Sequence, residues 1–158
     1  MATVGLESGS PRTLKKMKKN LDLDQTRAGI ALLQKAGIIV NGAFILGFSG
    51  ETMEDIEATI GFALDSGVDT AYFGNYLPLP GSEDFERLVH SGDLDPDGID
   101  WDAYTAYYGK IPYHPPAVSK KELLKAVKSA TYRFYLRPKT LWGLLKRMSH
   151  PVFIQNLF

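Results

Sequence analysis

Residues 38–52 read IIVNGAFILGFSGET, an apolar run that ends in a glycine-rich turn and opens a helix. Ile38, Ile39, Val40, Phe44, Ile45 and Leu46 are β-branched, aromatic or aliphatic with little polar alternation. That composition suits a parallel strand covered on both faces. Gly47-Phe48-Ser49-Gly50 turns the chain at the strand's carboxyl end, and Thr52, with Asp55 three residues later, has the form of a helix N-cap with an acidic partner. In a parallel α/β fold, ligands bind at that end of the strands, where helix starts present unpaired N–H groups.

The flanks extend the same pattern in both directions. Downstream, residues 53–66 place Ile56, Ile60, Ala63 and Leu64 on one helical stripe that Gly67 ends, and residues 68–77, VDTAYFGNYL, form another strand stopped by Pro78-Leu79-Pro80-Gly81. Ser82 caps a short helix with an acidic start, closed by Gly92. Upstream, Ser10-Pro11 starts a basic helix through Leu14 and Met17 that Asn20 can close. Asp24 then caps a helix with Ala28, Ala31, Leu32 and Lys35 or Ala36 on its apolar face and Gly37 beyond its end. Residues 3–6 look like the end of a strand with almost nothing in front. The order β, α, β, α, β predicts an α/β fold with parallel strands. It also predicts that a preceding strand is missing, which leaves an apolar edge at residues 4–6 open to self-association.

Beyond Gly92 the composition changes. Residues 93–118 are rich in Asp, Gly, Pro and aromatics, which predicts irregular structure with a helical turn near 102–108. Trp101, Tyr104, Tyr107, Tyr108 and Tyr113 are expected to glue this loop to the domain, not to stack a ligand. Ser119-Lys120-Lys121-Glu122 is a capping box, and Leu123, Leu124, Val127, Ala130, Thr131 and Phe134 carry the helix to a stop before Pro138. A last helix over residues 139–148 has Leu141, Leu144, Leu145 and Met148 on one stripe and is expected to dock on the domain. The chain thus divides into a sheet-forming part, 1–92, and an aromatic loop with a helical extension, 93–158.

Composition limits the function. With 158 residues and 44% apolar content the chain can build a core, and a formal net charge of zero points to neither nucleic acid nor an anionic membrane. No run approaches the roughly 20 apolar residues of a membrane span, so a cytoplasmic protein is the default expectation. There is no cysteine, which excludes disulfides, thiolate zinc sites and an iron–sulfur cluster held by this chain's own thiolates. His90, His114 and His150 are too scattered to propose a metal site. The turn is not a dinucleotide fingerprint, since it lacks the G-x-G pair and Asp69 opens its strand instead of closing it; nor is it a P-loop, since no lysine follows the second glycine.

Five stretches in register carry a family resemblance. They are Gly5-Leu6-Glu7-Ser8-Gly9-Ser10, Leu14-Lys15-Lys16-Met17-Lys18-Lys19, Ala36-Gly37-Ile38, Phe44-Ile45-Leu46-Gly47-Phe48-Ser49-Gly50-Glu51-Thr52 and Pro78-Leu79-Pro80-Gly81-Ser82. In order and spacing they resemble the carboxyl-terminal half of a radical S-adenosylmethionine (radical SAM) enzyme, close to those with a cobalamin-binding domain upstream. Tyr132-Arg133-Phe134-Tyr135-Leu136-Arg137-Pro138 resembles the helix end that follows the barrel in that group.

The resemblance implies an incomplete (β/α) barrel with about three parallel strands, followed by a helical carboxyl-terminal extension. It implies SAM and a 4Fe-4S cluster in the intact enzyme, where one electron cleaves SAM to a radical that takes a hydrogen from substrate; use of cobalamin stays open. The C-x-x-x-C-x-x-C cluster motif is absent here, so the implied partner is the missing amino-terminal half of the barrel, with an unknown small-molecule substrate, and the chain alone is expected to be inactive. By resemblance, Glu7 and Ser8 lie near the ribose and amino acid moiety of SAM, Lys19 pairs with its carboxylate, and Ile45 and Gly47 contact adenine. Ala43 stands where some relatives place a ribose-binding acid, and Ser49 stands where the usual turn has proline. Glu51 reads as a helix-start acid. The alternative is a non-catalytic α/β module that binds an anion or a protein partner at the helix start after Gly47 and Glu51.

Overall fold

The computed structural model describes residues 1–104 and 111–148, the last five of these in backbone only. Three strands, β1 (Ala2–Glu7), β2 (Val40–Leu46) and β3 (Thr70–Asn75), form one parallel sheet in the order β1-β2-β3. Helices α1 (Pro11–Lys16) and α2 (Leu23–Lys35) link the first two strands, and α3 (Met53–Asp65) links the second and third. Then come α4 (Glu83–Ser91), a 3₁₀ turn at Trp101–Ala103, α5 (Lys120–Tyr135) and α6 (Pro138–Met148).

The expectation that β2 is covered on both faces is corrected. Its residues alternate between buried and half-buried: Val40, Gly42, Phe44 and Leu46 face the helices, while Asn41, Ala43 and Ile45 share a face that no element of the described residues fully covers. The register aligns Thr3, Asn41 and Thr70 in one row of that face and Gly5, Ala43 and Tyr72 in the next. Polar alternation was weak in the sequence because Ala43 and Ile45 are apolar yet lie on this open side. Thr70 donates to Asn41 Oδ1 at 2.9 Å, so the lowest row satisfies itself with hydrogen bonds.

The covered face holds the core. Leu6, Val40, Phe44, Leu46, Ile56, Ile60, Phe73, Leu123 and Phe134 belong to one buried cluster, which therefore draws on residues from both sides of Gly92. Phe44 stacks on Phe73 at 5.4 Å, and Phe134 meets Phe73 edge-on at 6.2 Å. Tyr135 secures α5 to β3 by donating to Ala71 O at 2.8 Å. The capping boxes at Thr52 and Ser119 and the caps at Ser10 and Ser82 occur as expected.

Three expectations change. Asp22, not Asp24, caps α2, because its carboxylate reaches the N–H groups of both Asp24 and Gln25. The buried face of α2 carries Ile30, with Leu23 and Leu33 packed against the core, while Leu32 is 65% exposed. Alanines bury little area, so Ala28 and Ala31 do not set a helix's orientation when Ile30 and Leu33 compete for the core. At the β1 edge Thr3 and Gly5 are exposed and Leu6 is buried, while Val4 and Leu6 line an apolar groove with Leu21, Leu32 and Leu33. Leu141 and Trp142 at the start of α6 are 43% and 62% exposed, against docking of that part of the stripe; the side chains of Leu144, Leu145 and Met148, like Tyr107, Tyr108 and His150, lie outside the described residues.

Phe134 is fully buried and Leu136, two residues on, is exposed. Phe134→Ala is expected to cost about 3–5 kcal/mol in denaturant unfolding, and Leu136→Ala to stay within about 0.5 kcal/mol of wild type.

Candidate functional site

The site lies at the carboxyl ends of the strands, where three turns converge. At the end of β1 the register slips between Gly5 and Glu7, and Glu7 takes φ +61°. Left-handed backbone is costly for a residue with a Cβ, and a bulge of this kind re-aims a side chain. Lys18 is the other non-glycine residue with positive φ among the described residues, at +55°, and it directs the chain into Lys19. The two irregularities bring Lys19 Nζ to 2.9 Å from Glu7 Oε1. The Lys19 side chain remains 44% exposed and Glu7 17%, so the ammonium keeps access to solvent. A Cβ at Gly5 would stand 2.6 Å from Glu7 Oε1, so a larger residue there would displace the Glu7 carboxylate from this pair.

Ser8 is placed differently. It is fully buried, its hydroxyl pairs with Thr59 Oγ1 at 2.8 Å, and it accepts the Ser10 N–H, so it orders the turn and does not share the open face with Glu7. Gly9 lets α3 approach: a Cβ there would lie 2.4 Å from Phe62 Cβ. Asp55 ties the starts of α1 and α3 together by accepting from Ser10 Oγ, the Arg12 guanidinium, and both the amide and hydroxyl of Thr52. Burial pushes its carboxyl up, but these donors outweigh it and hold the group below the usual carboxylate range.

The turn after β2 rests on Glu51, which the sequence reading placed as a helix-start acid. It is instead 1% exposed, and its Oε2 accepts the N–H groups of Gly47 at 2.8 Å and Phe48 at 3.0 Å. Its Oε1 has no hydrogen-bond partner. Burial raises the carboxyl from 4.5 to about 7; the hydrogen bonds from the Gly47 and Phe48 amides recover only part of that cost. The signal available in sequence was position: Glu51 precedes the N-cap, where an acid lies outside the helix and can fold back on the turn. Gly47 has φ +84°, and a Cβ there would lie 2.5 Å from Leu123 Cδ2 of α5. Ile45 lies on the open face beside this turn, paired in register with Gly74.

Ser49 is also fixed. Its hydroxyl donates to Asp84 Oδ1 and accepts from Arg87 Nη2, both at 2.6 Å, while Tyr76 donates to Asp84 Oδ2 at 2.8 Å and stacks edge-on against Phe48. On the other side of the turn, Arg12 and Lys16 both donate to Gly50 O. A cleft of about 520 Å³ lies between the end of α1, this turn and α4. Glu51 thus occupies the amides of the turn, and Asp55 that of the N-cap Thr52. Among the described residues no cluster of His, Asp and Glu could hold a metal ion, and no described helix is long and apolar enough to cross a membrane.

With the open face, the Glu7–Lys19 pair and the braced turn in place, comparison with known proteins is informative. Residues 1–63 match the radical SAM superfamily. The chain is 33% identical over 139 residues to an uncharacterised methyltransferase of Pyrococcus horikoshii, covering 87% of this chain and 29% of that protein. It is 31% identical over 134 residues to the anaerobic magnesium-protoporphyrin IX monomethyl ester cyclase of Rubrivivax gelatinosus, covering 85% and 23%. Against the tRNA-2-methylthio-N(6)-dimethylallyladenosine synthase of Methylobacillus flagellatus it is 38% identical over 79 residues, covering 49% and 18%. The chain thus spans less than a third of the length of these relatives.

The raised Glu51 carboxyl sets a pH dependence. Between pH 4.5 and about 7 the unfolded chain ionises at Glu51 while the folded chain keeps its proton, so stability falls as pH rises, by roughly 3 kcal/mol across the window. Asp55 acts in the opposite direction but only in acid, below its unfolded value of 3.8. Glu51→Gln keeps an acceptor for both amides and cannot ionise. Its stability, measured by urea unfolding from pH 5 to 8, is expected to be flatter with pH than wild type; parallel profiles would show that Glu51 stays ionised in the fold.

Proposed function

We propose that this chain supplies the carboxyl-terminal part of the SAM-binding barrel of a radical SAM enzyme, the open face of its sheet forming part of the ligand and substrate wall. The observation that supports this most is the Glu7–Lys19 pair, held by left-handed backbone on both sides at the carboxyl end of β1, within the matched residues. A partly exposed ammonium beside a carboxylate suits a zwitterionic amino acid moiety, and Lys19 would hold the carboxylate of SAM. Glu7 would lie toward its amino or ribose groups. Ile45 and the backbone at Gly47 would form the wall against adenine, with Glu51 keeping that backbone in place. Ser8 would act through the turn, without direct contact.

No thiolate in this chain can hold the 4Fe-4S cluster, so that cofactor and its cysteines belong to the proposed amino-terminal half, and the chain alone is inactive. Bound SAM and cluster supply radical chemistry; the residues described here bind, orient and exclude water. The names of the relatives support a methyl-transfer or cyclisation type of reaction. Cobalamin is compatible with this reading, and the substrate is a small molecule.

The test joins the chain to a cluster-bearing amino-terminal half of a radical SAM barrel, reconstitutes the cluster and measures SAM affinity. Lys19→Ala should weaken binding about ten- to a hundredfold, the worth of a charge-assisted hydrogen bond. Lys15 is the control, since the Lys16 ammonium already holds Gly50 O. Equal loss with Lys15→Ala, or none with Lys19→Ala, would refute the assignment of Lys19.

A further inference from the structure

The net charge of zero conceals a sharp segregation. No Asp or Glu follows Glu122, whereas Lys125, Lys128, Arg133, Arg137, Lys139, Lys146 and Arg147 do, so residues 1–122 carry an equal excess of acids. Two of these cations are engaged in holding the fold: Arg133 pairs with Glu57 on α3, and Arg137 stacks on Phe134 and donates to Leu64 O. The lysines of α5 face away from that contact. Lys121, Lys125, Lys128, Tyr132 and Leu136 follow at i, i+4, i+7, i+11 and i+15, one stripe about 80° wide at 3.6 residues per turn. It lies opposite the buried Leu123, Ala126, Ala130 and Phe134.

Along this stripe charge gives way to apolar surface. Tyr132 and Leu136 are 64% and 67% exposed, and Leu141 and Trp142 at the start of α6 follow directly. Half of the large hydrophobic side chains exposed among the described residues thus fall within residues 132–142. An exposed run of aromatic and aliphatic groups bordered by lysines and free of acids matches an anionic bilayer, where lysines meet headgroups and Tyr, Trp and Leu enter the interface. A nucleic acid would match the lysines but leaves Leu136 and Leu141 without a base to stack on. A second copy apposed through the same face would set lysine against lysine.

We propose that the outer face of α5, continued by Leu136 and the start of α6, seats this chain on an anionic lipid surface. The experiment is flotation of the 158-residue chain with vesicles of phosphatidylcholine alone and of phosphatidylcholine mixed with phosphatidylglycerol. Binding should require phosphatidylglycerol and weaken with salt. Each of Lys125→Gln and Lys128→Gln should reduce partitioning about fivefold. Tyr132→Ser with Leu136→Ser should reduce it further without changing the melting temperature, since both side chains are exposed; Lys15→Gln should have no effect. In a Trp101→Phe background the remaining described tryptophan, Trp142, should shift its emission to the blue on mixed vesicles only. Four outcomes would overturn the proposal: equal binding to neutral vesicles, no binding to either, full binding by the Lys125→Gln, Lys128→Gln double variant, or RNA binding that depends on the same lysines while vesicles stay unbound.

Discussion

A buried acid, Glu51, governs the carboxyl end of this sheet. Glu51 folds back under the turn that ends β2 and takes two of its amides, so a stretch that would otherwise be a loose glycine loop has a fixed backbone. The surroundings depend on that placement. Gly47, in left-handed conformation, leaves no room for a Cβ beside Leu123, Phe48 meets Tyr76, and the Ser49 hydroxyl enters the Asp84–Arg87 pair. The turn is thereby tied to α5 beneath it and to α4 beside it, while Arg12 and Lys16 of α1 hold its Gly50 carbonyl. The cost is a carboxyl group with one oxygen unsatisfied and a raised pKa, set against two turn amides that an apolar residue would leave unpaired.

The sheet is asymmetric in a way that prepares this end for use. Its helix-covered face holds the aromatic cluster of Phe44, Phe73 and Phe134, and its other face carries Thr3, Asn41 and Thr70 in one row and Gly5, Ala43 and Tyr72 in the next, with Ile45 beyond. Parallel sheets are ordinarily covered on both sides. A half-exposed face of Gly5, Ala43, Ile45 and Tyr72 with Asn41 and Thr70 below is consistent with the proposed role as a wall for a ligand or substrate.

Much of this was legible in the sequence because the local signals agreed. Four of the caps, at Ser10, Thr52, Ser82 and Ser119, were written in residue type and spacing, and so was the β-α-β-α-β order. The meeting of Glu7 with Lys19 was carried only by resemblance, since it depends on a register slip and two left-handed residues that no propensity rule signals. Glu51 was misread because a carboxylate before an N-cap looks the same whether it faces water or its own turn. The orientation of α2 failed for a related reason: its alanines imitate a stripe without contributing the area that fixes one. The open face of β2 was hidden because Ala43 and Ile45 are apolar residues on the side the described residues leave half-exposed.

The most direct measurement of the central claim is backbone amide shift mapping, with this chain isotope-labelled and joined to the amino-terminal barrel segment, as SAM is titrated in. The account predicts that the largest perturbations fall on the turns bearing Glu7, Lys19, Ile45 and Gly47 and on the strand ends beneath them. Perturbations confined to α5 and α6, or to the far end of the sheet near Asn41 and Thr70, would contradict it.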